Sequence, residues 1–208
     1  MDAPFFPSFE FERLYDFPVA GVDEVGVGSW IGPVMAAAVV LDLATPSTLL
    51  SHLQDSKKLS EKKREAVFEM LMDSPHVHKS LGEASLSEIH TLNIRNAALL
   101  AMSRAVKNLP LVPTAVLVDG TAKPTVPCRT HLIVKGDQRS YSIAAASIIA
   151  KVTRDRWVRT IAAEYPGYGW EKNAGYGTKQ HQEALQRQGV TPWHRVTYGP
   201  IATLLTIS

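Results

Sequence analysis

The stretch Val19-Ala20-Gly21-Val22-Asp23-Glu24-Val25-Gly26-Val27-Gly28-Ser29-Trp30-Ile31-Gly32-Pro33 constrains the fold more than any other part of this 208-residue chain. An apolar run enters two adjacent carboxylates, glycine recurs at 26, 28 and 32, and a second apolar run, Val34 to Leu41, follows. Acids at the end of a buried strand are costly unless something offsets their charge. Glycines beside them let backbone come close to a ligand. Together they point to a cation and a phosphate in one place. Side chains alternate along a strand, so Asp23 and Glu24 cannot both face the same way from a regular one. Either the strand bends there, or one of the pair acts through its backbone carbonyl or from behind the other.

The remaining elements follow from pattern. Strands are expected at Val19–Val25 and Pro33–Leu41, the second buried on both faces through Ala36-Ala37-Ala38-Val39-Val40. Ala44–Leu53 reads as loop with a short turn. Ser60 caps a helix from Glu61 to about Met72, with Val67 and Leu71, and with them Phe68 and Met70, on its inner face. His76–Leu81 alternates as a third strand. Ser87 caps one helix running to Asn108, with Ile89, Leu92, Asn96, Leu99, Ser103 and Val106 on its inner face. Ala115–Val118 ends on Asp119-Gly120, and Leu132–Val134 on Lys135-Gly136-Asp137. Ser142 to about Glu164 is an alanine-rich helix. Tyr168–Gly177 is a loop, a helix spans Thr178 to about Gln188, and Trp193-His194-Arg195 lies in an irregular end. The β-β start predicts an α/β fold with a mixed sheet rather than a purely parallel one.

Three apolar strands thus end on acids. Four carboxylates, Asp23, Glu24, Asp119 and Asp137, meet at one sheet edge if those strands are neighbours. Such a cluster does not stay ionised without cations, and hard oxygen donors favour Mg2+ or Mn2+ over zinc. Two such ions suit phosphodiester displacement. With 45% hydrophobic and 20% charged residues the chain reads as an ordinary soluble globule. A net charge of +2 leaves nucleic-acid affinity to local patches. The single cysteine, Cys128, excludes an intrachain disulfide and a thiolate zinc cluster. No secretory signal or membrane-spanning run is evident, so a reducing cytoplasm is expected.

The motifs Gly21-Val22-Asp23-Glu24-Val25-Gly26, Asp55-Ser56-Lys57-Lys58-Leu59-Ser60, Val118-Asp119-Gly120, Lys135-Gly136-Asp137, Ser142 to Asp155, Gly175-Tyr176-Gly177-Thr178 and His194-Arg195 lie in order over about residues 19 to 200. In these the chain resembles bacterial ribonuclease HII, the type 2 ribonuclease H. The resemblance implies a ribonuclease H-like mixed β-sheet flanked by α-helices, with a helical C-terminal part. It divides the chain into an arm (1–18), a catalytic domain (19–165) and a substrate-contacting part (166–208). It implies hydrolysis of the RNA strand of RNA–DNA hybrids and cutting 5′ of ribonucleotides embedded in duplex DNA, with two Mg2+ or Mn2+ ions. Its acidic motifs fall on Asp23, Glu24, Asp119 and Asp137. The 2′-hydroxyl would be read by backbone of Gly26, Val27 and Gly28 and by Tyr176, and phosphates held by Ser56, Lys57 and Lys58. Asp155, also in the family pattern, is expected in an ion pair with a neighbouring arginine, and Lys62, Lys63 and Arg64 at a solvated helix entry. A monomer is the default, and the tail shows no clamp-binding motif.

One position departs from the pattern. The family usually carries arginine between the two glycines, and this chain carries Val27; Ser29 stands where proline is common. A catalytically silent hybrid-binding homologue and a related nuclease such as a junction resolvase are the alternative readings. Elsewhere, His76 and His78 read as a solvent-facing pair with no third ligand at hand. His181 and His194 are expected to make structural hydrogen bonds, Asn96 and Ser103 to be paired core polar groups, and Cys128 to be no nucleophile.

Overall fold

The computed structural model describes residues 6–53, 56–57 and 59–207. Five strands, β1 (Val19–Val25), β2 (Val34–Leu41), β3 (Val77–Ala84), β4 (Ala115–Asp119) and β5 (Arg129–Ile133), form one sheet in the order β3-β2-β1-β4-β5. The β1–β2 and β2–β3 pairs are antiparallel, and β1–β4 and β4–β5 are parallel. The sheet is therefore mixed, as the β-β start predicts. Helices α1 (Ser47–Leu50), α2 (Glu61–Asp73), α3 (Leu86–Leu92), α4 (Ile94–Lys107), α5 (Tyr141–Glu164), α6 (Trp170–Asn173), α7 (Lys179–Gln188) and α8 (Gly199–Ile207) complete it.

Alternation along β2 assigns the two faces. Ala37, Val39 and Leu41 pack with α2 and α5 in one core, while Ala36, Ala38 and Val40 pack with α4 in another. Helix α5 crosses β1 at Gly21 with no room between. A Cβ there would stand 2.2 Å from the Ser142 carbonyl carbon and 2.3 Å from the Ile143 nitrogen. Only glycine lets these two backbones meet, and their meeting brings α5 side chains onto the strand that carries Asp23. A third core joins the end of α5 to α6, α7 and α8 through Ile161, Trp170, Leu185 and Ile201, with Ile31 of the glycine loop inserted into it. Burial of a side chain like Ile31 contributes about 1.5–3 kcal/mol, and here it also fastens the loop.

Besides Met70, which is exposed on α2 rather than inward, four expectations are corrected. The helix expected from Ser87 to Asn108 is two. Ser85 caps α3 in a reciprocal capping box with Glu88. Asn93, at φ 66°, ends it, and its side chain caps α4 by accepting from Arg95 and Asn96 amides. The inner face of α4 is then Ala97, Ala98, Ala101, Met102, Ala105 and Val106; Asn96 is exposed, and Ser103 donates to the Leu99 carbonyl. Third, β5 runs from Arg129 to Ile133, and Val134 is exposed outside it. Fourth, the tail holds the unforeseen α6 and α8. Among the described residues, no helix is long and apolar enough to cross a membrane.

Candidate active site

The parallel register of β1 and β4 ends on Val22 opposite Val118. The next residue on each strand is an aspartate, so Asp23 and Asp119 follow side by side at the same sheet edge. Asp23 pairs across β2 with Ala37, which assigns it to the α5 face, and its side chain is buried. Glu24 is half-buried at the next position, where alternation turns it to the other face; its backbone N–H donates to Asp23 Oδ1 at 2.8 Å. Asp137 comes from a 3-10 turn, Gly136–Gln138, entered through Lys135 in the left-handed region, not from a strand end. The Gly136 amide donates to Asp119 Oδ1 at 2.6 Å, tying the Asp137 turn to the β4 aspartate.

The electrostatics follow from this convergence. Burial, and then repulsion from Glu24, Asp119 and Asp137, raises the Asp23 carboxyl well above the ordinary range; a hydrogen bond from Ser147 partly opposes this. Burial and Asp119 raise Glu24, while its backbone hydrogen bond and Lys57 oppose the shift. Among the described residues no three acidic, histidine or cysteine side chains form a ready-made metal-binding group. The donor chemistry nonetheless fits a divalent ion: hard carboxylate oxygens, mutually repelling, in a buried edge where a dication would relieve the repulsion.

The glycine loop beside these acids rests on two buried arginines. Gly26 has φ 90°, and a Cβ there would meet Arg154 Nε at 2.2 Å. Arg154 is fully buried on α5 and donates to the carbonyls of Ala174 and Ile31, both at 3.1 Å. Arg195 donates from Nε to Gly32 O (2.9 Å), from Nη1 to Val27 O (3.0 Å), Ser29 O (2.7 Å) and Tyr198 Oη (2.8 Å), and from Nη2 to Pro33 O (3.1 Å). Burial lowers both guanidiniums, Arg154 to about 10, which leaves Arg154 charged at neutral pH.

Tyr176 lies over the loop; its Cε1 would be 3.2 Å from a Cβ on Gly28, and the residue is 41% exposed. A chain of neutral rings holds it. His194 Nδ1 accepts from the Thr191 amide at 2.9 Å, which puts the proton on Nε2, 3.1 Å from His181 Nε2. Trp170 Nε1 donates to that same His181 nitrogen at 3.0 Å, so the other ring nitrogen, Nδ1, donates to the Tyr176 carbonyl at 3.0 Å. Burial, and for His194 also the neighbouring His181, lowers both imidazoles, His194 to about 4.

Ser56 is buried, with its hydroxyl 2.7 Å from that of Ser147. Ser147 thus connects the Ser56 loop to Asp23. Lys57 is exposed nearby; Lys58, with Asp55, lies outside the described residues. Arg64 is not a solvated helix entry. Its Nε donates to Ser56 O (2.9 Å) and its Nη2 to Leu59 O (3.0 Å), and it pairs with Asp155 at 3.6 Å. Asp155 is in an ion pair as expected, but with Lys151 (2.8 Å) and Arg64 rather than with Arg154 or Arg156. His76 and His78 both lie 3.3 Å from Asp42, a neighbour the sequence did not reveal. Arg154 and Arg195 are the residues that sequence reading passed over. Arg154 falls on the same helical stripe as Ala150, Val158 and Ile161, a charge amid core positions, and that was the available signal.

A family model described as Ribonuclease HII matches residues 20–199. The chain is 52% identical over 200 residues to the Ribonuclease HII of Jannaschia sp. (strain CCS1), covering 96% of this chain and 98% of that protein. It is similar to the crystal structure of the ribonuclease H2 from Pyrococcus horikoshii OT3, with a TM-score of 0.79 and 25% identity over 92% of this chain and 98% of the other. Bst-RNase HIII in complex with Mn2+ shares the fold, with a TM-score of 0.75 at 19% identity over 94% and 71% of the two chains.

Proposed function

The chain belongs to the ribonuclease HII family, ribonuclease H endonucleases acting on RNA–DNA, and from that premise we propose how its own residues cut. It hydrolyses the phosphodiester on the 5′ side of a ribonucleotide, in a hybrid or singly embedded in duplex DNA. Water adds to phosphorus, the bond from phosphorus to the 3′-oxygen of the preceding nucleotide breaks, and a proton goes to that oxygen, giving a 3′-hydroxyl and a 5′-phosphate. Asp23, Glu24, Asp119 and Asp137 would hold two divalent ions, Mg2+ or Mn2+. When bound, such ions supply a water of lowered pKa and charge for the leaving oxygen. The observation that carries this reading is the shared edge: Asp23 beside Asp119, with Asp137 tied to Asp119 through Gly136.

The chain's other groups select and orient. The carbonyls of Val27 and Ser29 are committed inward to Arg195, and that of Gly26 accepts from the Ser29 amide. The loop would therefore meet the 2′-hydroxyl through amide hydrogens, which distinguish RNA from DNA by that one oxygen. Tyr176 would pack on the sugar. Lys57 and Lys58 would hold flanking phosphates, a contact that positions the duplex and weakens with salt; Ser56, expected to share that role, is buried against Ser147 and would instead position their loop.

The test is cleavage in Mg2+ of a duplex carrying one ribonucleotide, beside an all-DNA duplex, a four-way DNA junction and an Asp23→Asn control. Cutting only at the ribonucleotide, lost in the variant, is expected. Binding without cutting would identify a silent homologue, and cutting of the junction a resolvase; either result refutes the proposal.

A further inference from the structure

The N-terminal arm lies before the matched family region, which starts at residue 20. Residues 8–12 of it nonetheless reach the corner that carries Asp137, while Tyr15 and Asp16 contact His131 and Thr114. Ser8 pairs with the chain immediately after that residue: its amide donates to Arg139 O at 3.1 Å, and its carbonyl accepts from the Tyr141 amide at 3.2 Å. Phe9 stacks edge-on against Tyr141 at 5.1 Å, and the Arg139 guanidinium lies 4.8 Å over the Phe11 ring.

The strongest contact is Glu12, an acid that is only 5% exposed. Its Oε1 accepts three hydrogen bonds, from Ser140 Oγ (2.7 Å), Ser142 Oγ (2.7 Å) and the Ser142 amide (3.0 Å). These donors form the first turn of α5, where an anion is favoured by the unpaired amides and the helix dipole. Among the described residues its Oε2 is buried without a hydrogen-bond partner, a cost that the three bonds and the helix terminus offset. Nothing in ordinary folding requires an acid from a separate arm here, since Ser140 already caps α5 by accepting from the Ile143 amide.

We propose that Glu12 is a positioning residue for the metal-binding edge: the arm clamps the start of α5 and so fixes the turn that presents Asp137 beside Asp119. The link is short. The Ser140 amide donates to Gly136 O at 2.8 Å, and the Gly136 amide donates to Asp119 Oδ1. Glu12 therefore acts on Asp137 through Ser140, without touching the site. The inference rests on the metal-binding reading above.

Mn2+ binding to the full chain, measured by calorimetry without substrate, tests it. Removing a partner that orients a ligand typically costs about 10–100-fold in metal affinity, so Glu12→Ala is expected to raise the Mn2+ Kd at least tenfold. Glu12→Gln keeps an acceptor for the three donors and should restore most of the affinity. Met102→Ala, in the α4 core on the other sheet face, serves as a control that lowers Tm and leaves Kd unchanged. Should Glu12→Ala not fold, Ser142→Ala removes one of the three bonds and is expected to raise Kd by a smaller factor. Wild-type binding with unchanged Kd in the foldable arm variants overturns the clamp alone. A Kd that merely tracks Tm across all variants, Met102→Ala included, also overturns it. Wild-type protein that binds no Mn2+ overturns the metal-binding reading, and the clamp with it.

Discussion

Arg195→Lys is a conservative change by charge, yet the structure expects it to be severe. The guanidinium makes five donated bonds in three directions, four of them to the carbonyls of residues 27, 29, 32 and 33. A lysine ammonium has three hydrogens on one atom and none of the planar fork. The Val27 carbonyl keeps Tyr198 Oη, but one ammonium cannot stand where Nε, Nη1 and Nη2 do, so at least two of the three buried carbonyls of Ser29, Gly32 and Pro33 lose their donor. Each buried group left unpaired costs about 1–3 kcal/mol, so the expected loss is about 2–6 kcal/mol. For a chain of this size 1 kcal/mol moves Tm by about 2–4 °C, and a fall of about 10 °C is the central expectation. Urea denaturation of wild type and variant at pH 7 measures it. The freed carbonyls belong to the glycine loop, so KM for a single-ribonucleotide duplex should rise more than kcat falls. A stability loss under about 1 kcal/mol would mean that the carbonyls find other partners, and the reasoning would fail.

Four further expectations concern the site and the rings and loop beside it. Asp23→Asn removes a buried, repelled charge; it should abolish cleavage while stabilising the metal-free protein by about 1–2 kcal/mol, the usual trade at a strained site, and a lower Tm would contradict the charge argument. Mg2+ should then raise the Tm of wild type, by mass action on the folded state, more than that of the variant. His194 is neutral in the fold down to about pH 4 while the unfolded chain protonates near 6.5. Acidification from about 6.5 towards 4 therefore loads protons on the unfolded state and costs up to about 3 kcal/mol; urea midpoints should show that slope in wild type and a flatter one in His194→Gln. Val27→Arg should raise kcat/KM on a single-ribonucleotide duplex about ten- to a hundredfold, since an arginine–phosphate bond contributes about 1.5–3 kcal/mol; an unchanged or lower value counts against a missing phosphate contact.

What the sequence disclosed and what it hid have separate physical causes. The two strands that carry Asp23 and Asp119 are buried along the run that leads to each acid, so an apolar run with an abrupt acid marks both the strand and its edge. β5 is half-exposed at the edge of the sheet, and with no continuous apolar run its start slips by three residues and its end by one, so Asp137 reads as a strand end rather than as part of the turn that follows. The α3–α4 break is invisible to periodicity because Asn93 looks like any polar helix residue until its φ is known. Alanines form most of the core face of α4, and a search for large side chains selects a rotated stripe that shares only Val106 with it. Arg64, Arg154 and Arg195 were hidden for a different reason. Their partners are mostly backbone carbonyls, and a carbonyl leaves no trace in residue identity.

Those same arginines explain how the glycine loop can hold its form with valine at position 27. The Val27 side chain is 36% exposed, whereas its carbonyl is bound by Arg195 and, at 2.5 Å, by Tyr198 Oη. Ile31 anchors the far end in the C-terminal core, and Arg154 fills the space beneath Gly26. The scaffold is thus built from below, by backbone contacts that any side chain at 27 leaves intact. A side chain there adds a contact to the substrate and contributes nothing to the loop's shape. Loss of arginine at 27 and loss of Arg195 are therefore different lesions. The first weakens one phosphate contact on an intact loop and is reversible by one substitution. The second displaces the amides that would read the ribose, and no added charge at 27 should restore them.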